Sequence, residues 1–221
     1  MILIDSPAPV TLVGGGPIPP GALARALALA PLAVAADGGG DVALPGGQAF
    51  AAVIGDMDSL RDPEGLRATG AELHEIAEQD TTDLEKCLRS VAAPLTLGVG
   101  FLGGRADHHL AAMSALVRAA PRPVILLGSD DICFACPTEF ALDLGEGARV
   151  SFFPMRAVAG LRSEGLRWSV AGLDFAPDQR IGTSNVALGG AMRVAFDAPG
   201  MLAILPLDRL EAAAAALGGR A

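Results

Sequence analysis

Leu32-Ala33-Val34-Ala35-Ala36-Asp37-Gly38-Gly39-Gly40 is the stretch on which the fold class turns. A short apolar run that stops at an acidic residue and three glycines reads as a buried strand ending in a turn. The pattern recurs outward from it. Thr11–Val13 runs into Gly14-Gly15-Gly16, and Ala51–Ile54 runs into Gly55-Asp56. Helical stretches fall between the strands: Pro19 to Ala30 with proline at its start, Leu60–Thr69, Thr82–Val91 with Glu85 four residues before Arg89, and about Asp107 to Ala119. Glu72–Ile76, Leu95–Val99 and Val124–Leu127 supply further strands. Strand, loop and helix in this rhythm predict a mostly parallel sheet covered by helices.

The texture changes after about Pro137. Phe140–Leu144, Arg149–Phe153, Ala157–Leu161, Leu166–Val170, Ala191–Phe196 and Met201–Leu205 read as short strands separated by Gly and Pro turns, and Glu211–Leu217 as an Ala-rich terminal helix. A boundary is expected near Cys136–Glu139. Residues 1–137 then form an α/β domain, and residues 138–221 an all-β sandwich or barrel. No internal repeat is visible.

Composition narrows the function. The 221 residues are 51% hydrophobic, ample for a packed core, and carry a net charge of -9. An acidic chain with scattered Lys and Arg does not suit nucleic acid. It can still hold an anion such as ATP where metal ions, Arg and backbone N–H groups offset the repulsion. Cys87, Cys133 and Cys136 form no disulfide framework. Cys133-x-x-Cys136 lacks a second pair or a neighbouring His to complete a zinc site, and reads as small apolar residues on or beside a strand. MILIDSPAPV has no basic segment and no long apolar run, and Gly, Pro or charge interrupts every apolar stretch. A soluble cytoplasmic protein is expected, with no membrane partner.

The acidic residues fall where strands end, which is where open α/β sheets bind ligands. Asp37 follows one strand, and Asp56 and Asp58 another. Asp80 and Asp83 open the helix at Thr82, and Asp107 follows Gly103-Gly104-Arg105. In extended chain, Asp56 and Asp58 point to one side and repel unless a cation lies between them. Magnesium takes such oxygen ligands. The alternative is an Asx-rich turn with Ser59 as a helix cap. Asp80 can equally cap the next helix, with Asp83 near its positive end. Glu85 and Lys86 read as a solvated face. Gly103 and Gly104 let backbone N–H groups approach an anion, and Arg105 offers a fork for phosphate oxygens. The bland alternative is Asp107 as a cap paired with Arg105. Of the adjacent His108 and His109, at most one faces the site. His74 reads as a strand or surface residue. Asp37-Gly38-Gly39-Gly40 is either a tight turn or a place where nucleotide meets bare backbone. Gly14-Gly15-Gly16 lacks the Lys-Ser/Thr of a P-loop.

In order, Ala36-Asp37-Gly38-Gly39, Gly55-Asp56-Met57-Asp58-Ser59, Gln79-Asp80-Thr81-Thr82-Asp83-Leu84-Glu85-Lys86 and Gly103-Gly104-Arg105-Ala106-Asp107-His108-His109-Leu110 resemble the thiamine pyrophosphokinase family. Gly165-Leu166-Arg167-Trp168 and Thr183-Ser184-Asn185 resemble its thiamine-side motifs. The resemblance runs from about Val10 to Leu205. It implies pyrophosphoryl transfer from ATP to the hydroxyl of thiamine with AMP as second product, Mg²⁺ as cofactor, and a homodimer with sites between subunits. It implies that Asp56, Asp58 and Asp83 are metal and phosphate carboxylates, and that Arg105 neutralises charge growing during transfer. On the nucleotide side it places Asp37, Gly38, Gly39, Asp80, Gly104, Asp107 and His108. It assigns Trp168, Ser184 and Asn185 to thiamine. Read alone, Trp168 is a core residue of the β domain, and Ser184-Asn185 a turn. Met57 stands where the family usually has Phe, and Ala112 where an Asn is common. The chain has no Tyr and 4% aromatics. A pyrophosphokinase acting on another alcohol such as a hydroxymethylpterin, a DxD hydrolase or sugar transferase, and a non-catalytic thiamine or nucleotide sensor remain open at this point.

Overall fold

The structure, a computed structural model, describes residues 1–218. Two compact units divide the chain: Met1–Ala115 with Leu126–Ser129, and Leu116–Ile125 with Asp130–Ala221.

In the first unit, β1 (Ile4–Asp5) pairs parallel with β6 (Val91–Ala92). The main sheet contains β2 (Val10–Val13), β3 (Leu32–Ala36), β4 (Ala52–Gly55), β5 (Glu72–Glu75), β7 (Thr96–Val99) and β8 (Val124–Leu127), in the order β8-β7-β2-β3-β4-β5. The β7–β2, β2–β3, β3–β4 and β4–β5 pairs are all parallel. Val10, Leu12, Val34, Ala35, Val53, Ile54, Leu97 and Val99 are fully buried. Parallel strands are covered on both faces, so they read as unbroken apolar runs. The covering helices include α1 (Ala22–Leu29), α2 (Pro63–Ala68), α3 (Asp83–Ser90) and α4 (Ala106–Ala119).

Two of these helices are shorter than the sequence suggests. α1 starts only after Gly21, whose φ of 78° is left-handed. α2 starts at Pro63, with the Asp62 carboxylate accepting from Gly65 N at 2.8 Å. Ser59 is therefore no helix cap. α3 is capped by Thr82 and not by Asp80. Thr82 Oγ1 accepts from Glu85 N at 3.4 Å, and Glu85 accepts from Thr82 N at 3.2 Å. Glu85 thus serves the helix end and is no free surface charge.

The second unit carries two antiparallel sheets. β9 (Asp131–Ala135), β11 (Glu146–Pro154), β14 (Gly182–Leu188) and β16 (Met201–Pro206) lie in the order β14-β11-β16-β9. β10 (Glu139–Asp143), β12 (Val158–Glu164), β13 (Asp174–Phe175) and β15 (Ala191–Phe196) lie in the order β10-β15-β12-β13. Edge-to-face ring pairs Phe134–Phe140 and Phe152–Phe196 join the two sheets. The closing helix α5 (Leu210–Gly218) packs on β10 and buries Leu210, Ala213, Ala214 and Leu217.

The expected strand Leu166–Val170 is absent, because only Leu166 bridges, to Ala187. The expected turn at Ser184-Asn185 lies inside β14 instead. β9 comes before the boundary expected near Cys136–Glu139, and it pairs with β16. Cys133 lies within β9 and Cys136 just beyond its end, and both are buried thiols outside any disulfide. Burial pushes the Cys133 thiol up to about 12. No described helix is long and apolar enough to cross a membrane.

Candidate active site

The order of the first sheet reverses between β2 and β7. One run of connections leads outward through β3, β4 and β5, and the other through β7 and β8. The loops leaving β2 and β7 therefore part, and a crevice opens at the carboxyl ends of the strands. A cleft of about 710 Å³ lies there. Gly14–Gly16 and Gly100–Gly104 border it on one side, and Asp37, Asp56 and Asp83 on the other.

Asp37 follows β3 directly and begins the one-turn coil Asp37–Asp41. Two close approaches dictate the glycines around it. A Cβ on Gly39 would stand 2.0 Å from the Val13 carbonyl oxygen, and one on Gly55 would stand 2.6 Å from Asp37 Cβ. Asp37 is only 3% exposed, and its Oδ1 has no hydrogen-bond partner among the described residues. A buried unsatisfied carboxylate oxygen calls for a specific explanation.

Asp56-Met57-Asp58 is not extended, as the sequence reading assumed. Met57 has φ 66°, a rare value for a residue with a side chain, so the segment turns sharply. Both carboxylates nevertheless reach one place. Asp37, Asp56 and Asp58 each offer an oxygen, and the three lie within 4.8 Å of one another. Ser59 Oγ donates to Asp58 Oδ1 at 2.9 Å.

The expected role of Asp83 as a metal carboxylate meets a different arrangement. Asp83 Oδ1 accepts from Lys86 Nζ at 3.1 Å, and Lys86 Nζ reaches Asp56 Oδ2 at 3.3 Å. Lys86 is 1% exposed, which corrects its reading as part of a solvated face. A buried ammonium is rare without partners. Burial alone would lower the Lys86 pKa, but its bonds to Asp83 and Asp56 carry it above the usual value. Burial likewise opposes ionisation of Asp56, yet Gln79, Lys86 and the Asp58 amide hold its carboxyl below the ordinary range. At Asp83 burial prevails over Lys86, and the pKa rises.

Gly104, Arg105 and His108 line the opposite wall, and Gly38, next to Asp37, lines the acidic side. Arg105 grips Asp107 through two hydrogen bonds, at 3.1 and 2.6 Å, and both side chains are largely exposed. Asp107 also accepts from His108 N at 2.9 Å within the first turn of α4. It is therefore neither the residue that caps that helix nor part of the cleft wall. His109 Nδ1 accepts from Gly103 N at 3.3 Å, so His108 is the one of the pair that faces the cleft. Asp80 is exposed away from the wall, where its amide donates to Glu78 Oε2 at 2.8 Å.

A second set of expected residues meets in the second unit. Asn185, 5% exposed, accepts from Trp168 N at 3.1 Å and from Val186 N at 2.8 Å, and donates to Trp168 O at 2.6 Å. Trp168 is 56% exposed, which corrects its reading as a core residue. The Arg167 guanidinium lies 5.6 Å from its ring centroid. Ser184 has φ 61°, and its N–H donates to the buried Ser151 hydroxyl at 3.0 Å.

Sequence reasoning missed Lys86 and Gln79. For Lys86 one signal was available, its spacing of three residues from Asp83 on a helix. Gln79 stood at the head of the Gln79–Lys86 motif but was given no role of its own.

Residues 23–126 match the family described as Thiamin pyrophosphokinase, catalytic domain, and residues 138–201 match Thiamin pyrophosphokinase, vitamin B1 binding domain. The chain is 30% identical over 163 residues to "Thiamine pyrophosphokinase 1" of Oryza sativa subsp. japonica. That match covers 66% of this chain and 62% of the relative, so it spans less than two thirds of the curated protein. Among solved structures, "Thiamin pyrophosphokinase from Candida albicans" superposes with a TM-score of 0.76 at 13% identity, covering 92% of each chain. The thiamine pyrophosphokinase from Bacillus subtilis gives 0.70 at 21% identity, covering 90% of this chain and 98% of that one. At such identities the structures speak for a shared fold. The two family matches together span most of the chain, and the chain belongs to the thiamine pyrophosphokinase family.

Proposed function

We propose that the protein transfers a pyrophosphoryl group from ATP to the hydroxyl of thiamine, giving thiamine pyrophosphate and AMP. The observation that carries this reading is the convergence of Asp37, Asp56 and Asp58 beside a buried unpartnered Asp37 oxygen, in a cleft walled by glycine backbone. Hard oxygen donors at this spacing fit Mg²⁺, which commonly combines one or two carboxylates with substrate phosphates. Bound there, the ion would neutralise phosphate charge.

The thiamine hydroxyl oxygen bonds to the β-phosphorus, the bond from that phosphorus to the α-phosphate oxygen breaks, and AMP leaves. The hydroxyl proton passes to a carboxylate. Positioning and charge neutralisation dominate such chemistry. Gly14–Gly16, Gly38 and Gly100–Gly104 let phosphates approach the backbone, and Arg105 and His108 supply positive and donor groups. Asp83, tied to Lys86, faces the same phosphates.

We assign ATP to residues 1–137 and thiamine to residues 138–221. Trp168, exposed and held at its backbone by Asn185, offers a stacking face for the cationic rings. Ser184, with its backbone pinned by Ser151, turns its hydroxyl to the same ligand. We further propose a homodimer with its sites at the subunit interface. Three buried cysteines, none in a disulfide, suit a reducing compartment, and we place the enzyme in the cytoplasm.

The test is incubation of the protein with ATP, Mg²⁺ and thiamine, followed by chromatography of AMP and thiamine pyrophosphate. Equal amounts of both, abolished by EDTA, are expected. AMP formed only with another alcohol would keep the transfer and replace thiamine. A folded protein that forms no AMP with any alcohol would end the catalytic reading.

A further inference from the structure

Lys86 and Gln79, which both line the cleft, hold Asp56 through one oxygen. Gln79 Nε2 donates to Asp56 Oδ2 at 2.7 Å, and Lys86 Nζ donates to the same Oδ2 at 3.3 Å. Among the described residues, Asp56 Oδ1 receives only a long contact, from Asp58 N at 3.5 Å. The two oxygens of this carboxylate therefore have different tasks. Lys86 also binds Asp83 Oδ1 at 3.1 Å, so one ammonium ties two cleft carboxylates together. Its burial, at 1% exposure, leaves it little freedom to swing toward a ligand.

We propose that Lys86 and Gln79 are positioning residues: they saturate Asp56 Oδ2 so that Oδ1 alone is presented, with Asp37 and Asp58, to a divalent cation. The inference rests on the metal reading given above and goes beyond it by assigning each Asp56 oxygen. Groups that orient a ligating carboxylate commonly matter about 10–100-fold to metal affinity. Two simpler accounts predict something else. If Lys86 only balances negative charge, removing it strengthens attraction for a cation. If it only supports the fold, removing it lowers thermal stability and leaves cation affinity alone.

The experiment is direct titration of the full chain with Mn²⁺, reading free ion by its electron paramagnetic resonance signal, for the wild type, Lys86→Met and Gln79→Leu. Gln79 is exposed, so its variant keeps the fold and decides the matter even if Lys86→Met does not fold. Weaker Mn²⁺ binding, by about 10–100-fold in each folded variant, is expected. Unchanged or tighter binding in Gln79→Leu, or in a folded Lys86→Met, overturns the positioning role while leaving the metal site standing. A wild type that binds no Mn²⁺, or binds it equally well as Asp56→Asn, overturns the metal reading and the positioning role together.

Discussion

Asn185→Ala tests how Trp168 is held. Asn185 is buried and serves three backbone groups: the Trp168 N–H, the Val186 N–H and the Trp168 carbonyl. Alanine leaves all three without that partner. At about 1 kcal/mol for each hydrogen bond lost, the change costs about 3 kcal/mol. Trp168 is 56% exposed, so water replaces part of what its backbone loses and brings the figure to about 2–3 kcal/mol. That is a large share of the roughly 5–15 kcal/mol that separates folded from unfolded chains. Urea unfolding measures the loss. The single tryptophan of the sequence then gives a second signal from the same residue. Thiamine should quench Trp168 fluorescence saturably in the wild type, and more weakly in the variant, because the ring is no longer fixed. A stability loss within about 0.5 kcal/mol, the range of an ordinary surface change, would refute the account of the hydrogen bonds. Full stability loss with unaltered quenching would remove Asn185 from the thiamine site and leave it a purely structural residue.

Asp56→Asn should keep its circular dichroism and lose AMP formation by about 10²–10³-fold, the effect of removing one electrostatic partner of a transferring group; near-normal turnover would take Asp56 out of the mechanism. Gly39→Ala forces a Cβ to 2.0 Å from the Val13 carbonyl oxygen, backbone against backbone, so a loss of at least about 1–3 kcal/mol in thermal or urea unfolding is expected, and a neutral result would contradict the packing of that coil on β2. Glu78 is bonded by the Thr81 hydroxyl, by Arg89 and by the amides of Asp80 and Thr81, which together hold its carboxyl at about 2 against an ordinary 4.5. Because the folded value is depressed, its contribution is present above pH 4.5 and fades as pH falls from there toward 2. Protection of the Asp80 and Thr81 amides, taken relative to the intrinsic exchange rate at each pH, should fall over that window in the wild type and already be low at neutral pH in Glu78→Gln.

Much of this site was legible before any tertiary contact was known. Apolar runs ended by glycine and aspartate mark buried parallel strands, because the two-residue period and the steric demands of a turn are local properties of the chain. The acidic residues at strand ends and the Gly103-Gly104-Arg105 turn follow from the same local rules. So does the alternation that places Phe140 and Leu142, or Val194 and Phe196, on one buried face. Other features depend on sheet register and helix rotation, which no local pattern contains. Asp37 joins Asp56 and Asp58 because β3 and β4 pair Ala36 with Ile54 and so bring their ends together. Lys86 turns inward because the face of α3 that carries Cys87 and Ser90 is the buried one. Met57 adopts a left-handed conformation, and Ser184 does the same within a strand, because the surrounding contacts outweigh the intrinsic preference of either residue. Trp168 stays exposed because Asn185, seventeen residues later, captures its backbone in place of a strand partner. Local sequence thus determined which segments end at the site and which charges they carry, whereas long-range packing selected which of those charges meet.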